Sequence, residues 1–132
     1  MSLRLLTEPH DFSYGDTVTV YERTNRTFSY TGTISHIIKK RINDADPASY
    51  YIDNIYVKFS TNVYNHLLKR GSKIYYNGHP QIIGDMIRDD KTNDIEHIFL
   101  QNFTQYKGQE IKLENINSML IWRIAYEIVK YV

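Results

Sequence analysis

NSMLIWRIAYEIVKYV, Asn117 to Val132, holds only three charged residues, Arg123, Glu127 and Lys130. Projected at about 100° per residue, Leu113 and the apolar positions that follow it cover an arc of roughly 200°. A helix lying on one sheet needs an apolar arc of only about 100°. The projection therefore predicts a long closing helix over 114–132 that is covered on two sides. One side is its own domain, and the other is either a wrap by the N-terminal Leu3–Leu6 segment or, as the preferred reading, another molecule. Trp122, Ile121, Ala125, Ile128, Val129 and Val132 are the expected protein interface, for self-association or a protein partner. A helix lying on a membrane surface would show a broad charged face, which this segment lacks.

Working back from that segment, 72–113 reads as a run of short strands. Ser72–Tyr76 meets Asn77-Gly78, a strong hairpin signal. His79–Asp89 returns, and Pro80 argues for an edge position near its start. Asp89–Asp94 is a turn, Ile95–Phe103 a strand, and Tyr106–Glu110 a loop before a short Ile111–Leu113 strand. A short helix over Asn62–Arg70 precedes this run. Ser60 or Thr61 is placed to cap it, Lys69 and Arg70 to complement its dipole, and Gly71 to stop it. The first 60 residues alternate with the two-residue period of strands: Thr17–Glu22, Tyr30–Lys40 and Tyr50–Phe59. Gly32 suggests a bulge, and Ile55, Val57 and Phe59 are expected to point inward together. The halves echo each other: Gly15-Asp16-Thr17-Val18 opens one run and Gly71-Ser72-Lys73-Ile74 the other, with Gly32 and Gly84 later in each.

GDTVTV (Gly15–Val20), YTGTISHI (Tyr30–Ile37) and NIYVKF (Asn54–Phe59) together resemble the first three strands of Tudor-like or Src-homology-type small barrels. The resemblance covers about the first 60 residues. It implies a small barrel that binds methylated side chains in an aromatic cage, proline-rich peptides or nucleic acid. Tyr21, Phe28, Tyr30, Tyr50 and Tyr51 are the rings available for such a cage, with Glu22 and Asp53 as the nearby acids. The second run of strands and the closing helix are not part of the minimal barrel.

Composition narrows the chemistry. The chain has 132 residues and no cysteine, so disulfides, thiolate metal sites and cysteine nucleophiles are excluded. The opening MSLRLLTEPH carries Arg4 and Glu8 and no apolar run, so neither an export signal nor a membrane span is expected, and the chain is read as intracellular. There are 17 Ile, 12 Tyr, 10 Asn and 9 Lys but three Ala. Those abundant residues have AT-rich codons, which suggests a large DNA virus, a phage or a low-GC microbe as the source. Sixteen basic and 15 acidic residues give a net charge of +1, against the clear basic excess of a dedicated DNA binder. No phosphate-binding glycine loop or nucleophile elbow occurs. His10, His36, His66, His79 and His97 show no metal-ligand spacing, and the run from Asp85 to Glu96 lacks the calcium-loop pattern. No catalytic residue, cofactor or metal is expected.

The sequence thus predicts one mainly β (α+β) domain: six or seven antiparallel strands in one or two barrel-like sheets, a short helix at 61–71 and a long C-terminal helix. The expected function is non-catalytic, as a structural or interaction protein such as a small virion or assembly component docking through that helix. The alternative is a Tudor-like module binding nucleic acid or a modified peptide through a tyrosine-rich basic face of Tyr30, Tyr50, Tyr51, Tyr56, Lys39, Lys40 and Arg41.

Overall fold

A computed structural model describes residues 5–6, 12–42, 45, 50–102, 108–122 and 125–131. The chain divides into two compact units. Unit 1 is Met1–Lys58 with Leu120–Val132, and unit 2 is Phe59–Met119, so unit 2 interrupts unit 1 in sequence.

Unit 1 contains β1 (Leu5–Leu6), β2 (Thr17–Glu22), β3 (Ser29–Arg41), β4 (Tyr50–Lys58) and, from the end of the chain, β10 (Tyr126–Tyr131). Its strand order is β1-β10-β2-β3-β4, with antiparallel pairing throughout. Val18, Val20, Ile34, Ile52, Ile55, Val57, Ile128 and Val129 are buried. At roughly 1.5–3 kcal/mol per buried aliphatic side chain, this cluster is the main stabilising term of the unit. Ile55, Val57 and Phe59 are buried as their alternation predicts, but Tyr56 between them is buried as well, so this part of the chain is covered on both faces.

Unit 2 contains α1 (Thr61–Leu67), β5 (Lys73–Tyr76), β6 (His79–Arg88), β7 (Ile95–Leu100), β8 (Glu110–Ile111), a 3₁₀ turn (Leu113–Asn115) and β9 (Ile116–Ile121), whose last two residues belong to unit 1. The order is β9-β5-β6-β7-β8. Asn77 and Gly78 both have positive φ, 53° and 78°, as the two-residue hairpin turn requires. Pro80 pairs with Tyr75 of β5, while the β6–β7 pairing starts only at Ile83. No β7 residue therefore faces Pro80, and its missing N–H costs no ladder bond there. Tyr64 is buried against Phe59, with ring centroids 6.0 Å apart in an edge-to-face arrangement. Its hydroxyl accepts the Phe59 N–H at 3.0 Å. Burial pushes the Tyr64 phenol up to about 12.

The predicted long C-terminal helix is absent. Leu113–Asn115 forms one 3₁₀ turn, Ile116–Ile121 and Tyr126–Tyr131 are strands, and α1 is the only α-helix among the described residues. The physical reason lies in the breadth of the apolar arc itself. Met119, Leu120 and Ile121 are consecutive and all buried, as are Ile128 and Val129. A strand covered on both faces loses its alternation and imitates a helix that is apolar all round. Between the strands, the Ala125 and Tyr126 N–H groups both donate to the Trp122 carbonyl, at 3.0 and 2.9 Å. That turn carries no Gly, Pro, Asn or Asp to announce it. The strand count is ten among the described residues, not six or seven, and in each unit the order is linear and open, with no pair closing a barrel. The middle helix ends at Leu67, before Lys69 and Arg70. Gly71 has φ +89° at the entry to β5 and is not a helix stop.

The two units are copies of one design. Gly15 and Gly71 both take positive φ, 88° and 89°. Their N–H groups donate to Ile34 O and Ile83 O at 2.9 and 2.8 Å, and Ile34 and Ile83 N–H return bonds to Asp16 O and Ser72 O, both at 2.9 Å. The side chains of Asp16 and Ser72 accept the N–H three residues earlier, at Ser13 and Lys69. After Ile34 and after Ile83 the second strand bulges by one residue, Ser35 or Gly84. The third strand bulges at Asp53 or Glu96. Near the end of each unit one more equivalence appears: Asn115 N–H donates to Lys112 O and Ala125 N–H to Trp122 O, each at 3.0 Å. The repeat expected from Gly15–Val18 and Gly71–Ile74 is therefore in register. Gly32 and Gly84 are not equivalent, because Gly32 pairs regularly with Val18 and the bulge falls at Ser35.

Candidate functional site

β3 is 13 residues long, yet β2 pairs with only its first part, the last pair being Thr17–Thr33. Beyond that point β3 runs on beside β4 without β2. Its register sets Lys39 opposite Ile52, Lys40 opposite Tyr51 and Arg41 opposite Tyr50. Lys39, Lys40 and Arg41 are all exposed, and so are the apolar side chains of Ile38 and Ile42 beside them. Successive strand residues point to opposite faces, so Lys39 and Arg41 serve one side of the ribbon and Lys40 the other.

The residues expected on one basic, tyrosine-rich face are brought to the same strand pair but not to a single face. The three cations and the backbone of Tyr50 and Tyr51 come together on the ribbon. Tyr56 does not join them; it is 5% exposed, with His36 packed edge-on against it at 6.2 Å. Tyr30 lies further back on β3, paired with Val20 and half-buried, where burial first and then the charge of Glu22 hold its phenol above the usual tyrosine range. Lys69, Arg70 and Lys73 belong to unit 2. Of the residues expected at a protein interface, Ile121, Ile128 and Val129 are buried core, at 1%, 4% and 2% exposure. Trp122 is 44% exposed and Ala125 is exposed, both at the turn before β10. Val132 lies outside the described residues.

Behind the ribbon, unit 1 is braced by ion pairs. Lys130 Nζ donates to Asp16 Oδ2 at 2.6 Å and lies 5.9 Å from the centre of the Phe12 ring. Burial pushes the Asp16 carboxyl up, but bonds from Lys130 and from the Ser13 N–H outweigh it and hold the group below its ordinary value. Arg26 pairs with Glu127 at 2.8 Å.

Unit 2 has a different surface. A groove of about 500 Å³ runs along β7, β8 and the 3₁₀ turn, lined by Thr61, Ile95, Glu96, His97, Ile98, Glu110, Ile111, Lys112, Leu113 and Glu114. That volume is within the range of small-ligand sites. Its floor is apolar and its rim holds three carboxylates and one ammonium. His97 Nδ1 is hydrogen-bonded to Glu110 Oε1, and the His97 ring stacks on Phe99 with centroids 6.4 Å apart.

Sequence reasoning missed Arg88. Its guanidinium donates to the carbonyls of Asn65, Asn93 and Leu68 at 2.9, 2.8 and 3.0 Å. It therefore performs the α1 C-terminal capping that was assigned to Lys69 and Arg70, while Arg70 pairs with Asp85 at 2.9 Å. Asn65 completes the network, donating to Asp94 and accepting the Ile95 N–H. A lone arginine at a strand end carries no local signal of this role. No group of three or more histidine or acidic side chains is placed to hold a metal ion among the described residues. No helix there is long and apolar enough to cross a membrane. Comparison with protein-family models, curated proteins and solved structures gives no match to this chain.

Proposed function

We propose that this protein is a non-catalytic binding protein and that the β3–β4 ribbon holds a nucleic-acid strand. The observation that carries the reading is the register of Lys39, Lys40 and Arg41 against Ile52, Tyr51 and Tyr50 on a ribbon that outruns β2. Exposed cations along the strand suit the phosphates of a single nucleic-acid strand passing over it. Tyrosines on the facing strand are residues on which bases stack. The Tudor-like resemblance of Gly15–Phe59 belongs to this proposal, since nucleic acid is among the ligands of that family. Three phosphate contacts give a log–log salt dependence of roughly −2 to −3. Fluorescence anisotropy with a labelled oligonucleotide tests this across a salt series. The triple variant K39E/K40E/R41E is expected to abolish binding and flatten the slope. Binding that is absent, or unchanged in the variant, refutes the reading.

A second reading, a structural or assembly role, is favoured by the exposure of Trp122, since tryptophan is enriched where interfaces concentrate their energy. Light scattering across a concentration range tests it. Association lost in Trp122→Ser supports it, and a monomer at every concentration removes it.

A further inference from the structure

We propose that the groove of unit 2 is a second binding site, for an extended lysine- or arginine-bearing segment of a partner protein. The site goes beyond the ribbon and does not depend on it.

The groove combines three properties. It is large enough to enclose a side chain together with part of the backbone that carries it. Glu110 is engaged by His97, but Glu96 and Glu114 still outnumber the single ammonium of Lys112, so the groove's charge selects a cation. Its floor is apolar and accepts the aliphatic stem of a lysine or arginine while the charged head remains among the carboxylates. Glu96 is there because β7 bulges by one residue at that position, and bulges re-aim side chains. Geometry favours an extended peptide over a small amine. β8 is the last strand in the order of unit 2, and its outer edge has no strand partner among the described residues. An incoming strand laid along Glu110–Ile111 takes main-chain bonds from that edge and brings its side chains beside the groove that the same two residues line. Ile111 of β8 is buried in the sheet, and Glu110 holds His97 upright at the groove wall.

The test uses the full chain and a short fluorescent peptide alternating lysine and threonine, with an alternating glutamate–threonine peptide as control. Saturable, salt-sensitive binding of the lysine peptide alone is expected. E96Q/E114Q, two exposed changes away from the core, is expected to weaken it about tenfold while leaving the thermal unfolding midpoint unchanged. K39E/K40E/R41E leaves this binding intact, which separates the site from the ribbon. Several results overturn the proposal: no binding, equal binding of both peptides, binding indifferent to E96Q/E114Q, or competition by spermine as effective as by unlabelled peptide. Loss of the peptide signal because the chain saturates itself, seen as self-association that E96Q/E114Q abolishes, assigns the groove to a second copy and overturns it as well.

Discussion

Replacing Arg88 by methionine tests the network that ties α1 to the β6–β7 turn. Methionine keeps much of the aliphatic stem and removes the guanidinium, so lost packing contributes little. Three hydrogen bonds disappear, to Asn65 O, Leu68 O and Asn93 O. The bond to Asn93 is exposed, and water replaces it at little cost. The other two are part-buried and charge-assisted, and they satisfy carbonyls at the C-terminal end of a seven-residue helix. A charge-assisted bond contributes about 1.5–3 kcal/mol, and rehydration of the freed carbonyls pulls the pair toward the lower end. The expected loss is therefore about 2–3 kcal/mol. With a denaturant slope of about 1–3 kcal/mol per molar urea, the midpoint followed by circular dichroism falls by about 0.7–3 M. Arg88→Lys retains one charged donor and should lose roughly half as much. Lys69→Met and Arg70→Met should each fall within about 0.5 kcal/mol of the parent, as exposed substitutions do. An unchanged midpoint in Arg88→Met, or a larger loss in Lys69→Met than in Arg88→Met, refutes the assignment of Arg88 as the cap of α1.

Three more perturbations probe the remaining architecture. A Cβ on Gly84 meets Gln101 Cα at 2.7 Å and Gln101 N at 3.0 Å, so Gly84→Ala must push backbone aside. It should cost about 1–3 kcal/mol in urea unfolding, and a neutral result contradicts the close approach at the bulge. Ile128→Ala should lose about 2–4 kcal/mol while Trp122→Ser changes stability little, as measured by thermal unfolding; equal losses argue against the strand arrangement of the C-terminal segment. Tyr64 has a folded-state value raised from 10.0 to about 12, so its contribution is complete below pH 10 and is lost as pH rises toward 12. Alkaline unfolding of the parent should begin in that window, and Tyr64→Phe should flatten the decline above pH 10.

Where strands are half-exposed, residue type and spacing fix them. Thr17–Glu22 alternates as Val18 and Val20 inward with threonines between, and the strand occupies those six residues. Asn77-Gly78 identifies its hairpin because few other residue pairs take positive φ at both turn positions. The same logic failed at the end of the chain for a physical reason. Period-2 alternation exists only when one face meets water, and β9 has five buried residues out of six. Tryptophan, isoleucine and valine do favour strands, but that preference was weaker than the helical projection it competed with. The site was partly legible. Lys39, Lys40 and Arg41 stand at the end of one predicted strand and Tyr50 and Tyr51 at the start of the next, so their proximity follows from pairing of those two neighbours alone. The groove of unit 2 depends on Thr61, Glu96 and Glu110 meeting, and no local rule joins them.

The internal repeat accounts for both the failure and the site. Unit 2 interrupts unit 1 after β4, so the closing segment of unit 1 stands directly after its counterpart in unit 2. The turns before β9 and β10 are equivalent, each closed by an N–H, of Asn115 or of Ala125, on the carbonyl three residues earlier. Side by side in the sequence, the two copies merge into one apolar run. The copies then diverge where the ligand is proposed to bind. Lys39 opposite Ile52 corresponds to Arg88 opposite Ile95. In unit 2 the strand ends at that arginine, which turns to α1, and the chain reverses through Asp89–Asp94. In unit 1 β3 runs on through Lys40 and Arg41, and the cation at the equivalent position stays exposed. One scaffold position thus serves as a helix cap in one copy and as the base of an exposed basic ribbon in the other. Shortening β3 and β4 to the length of β6 and β7 should therefore remove oligonucleotide binding while keeping the fold, because unit 2 already folds its own strands at that length.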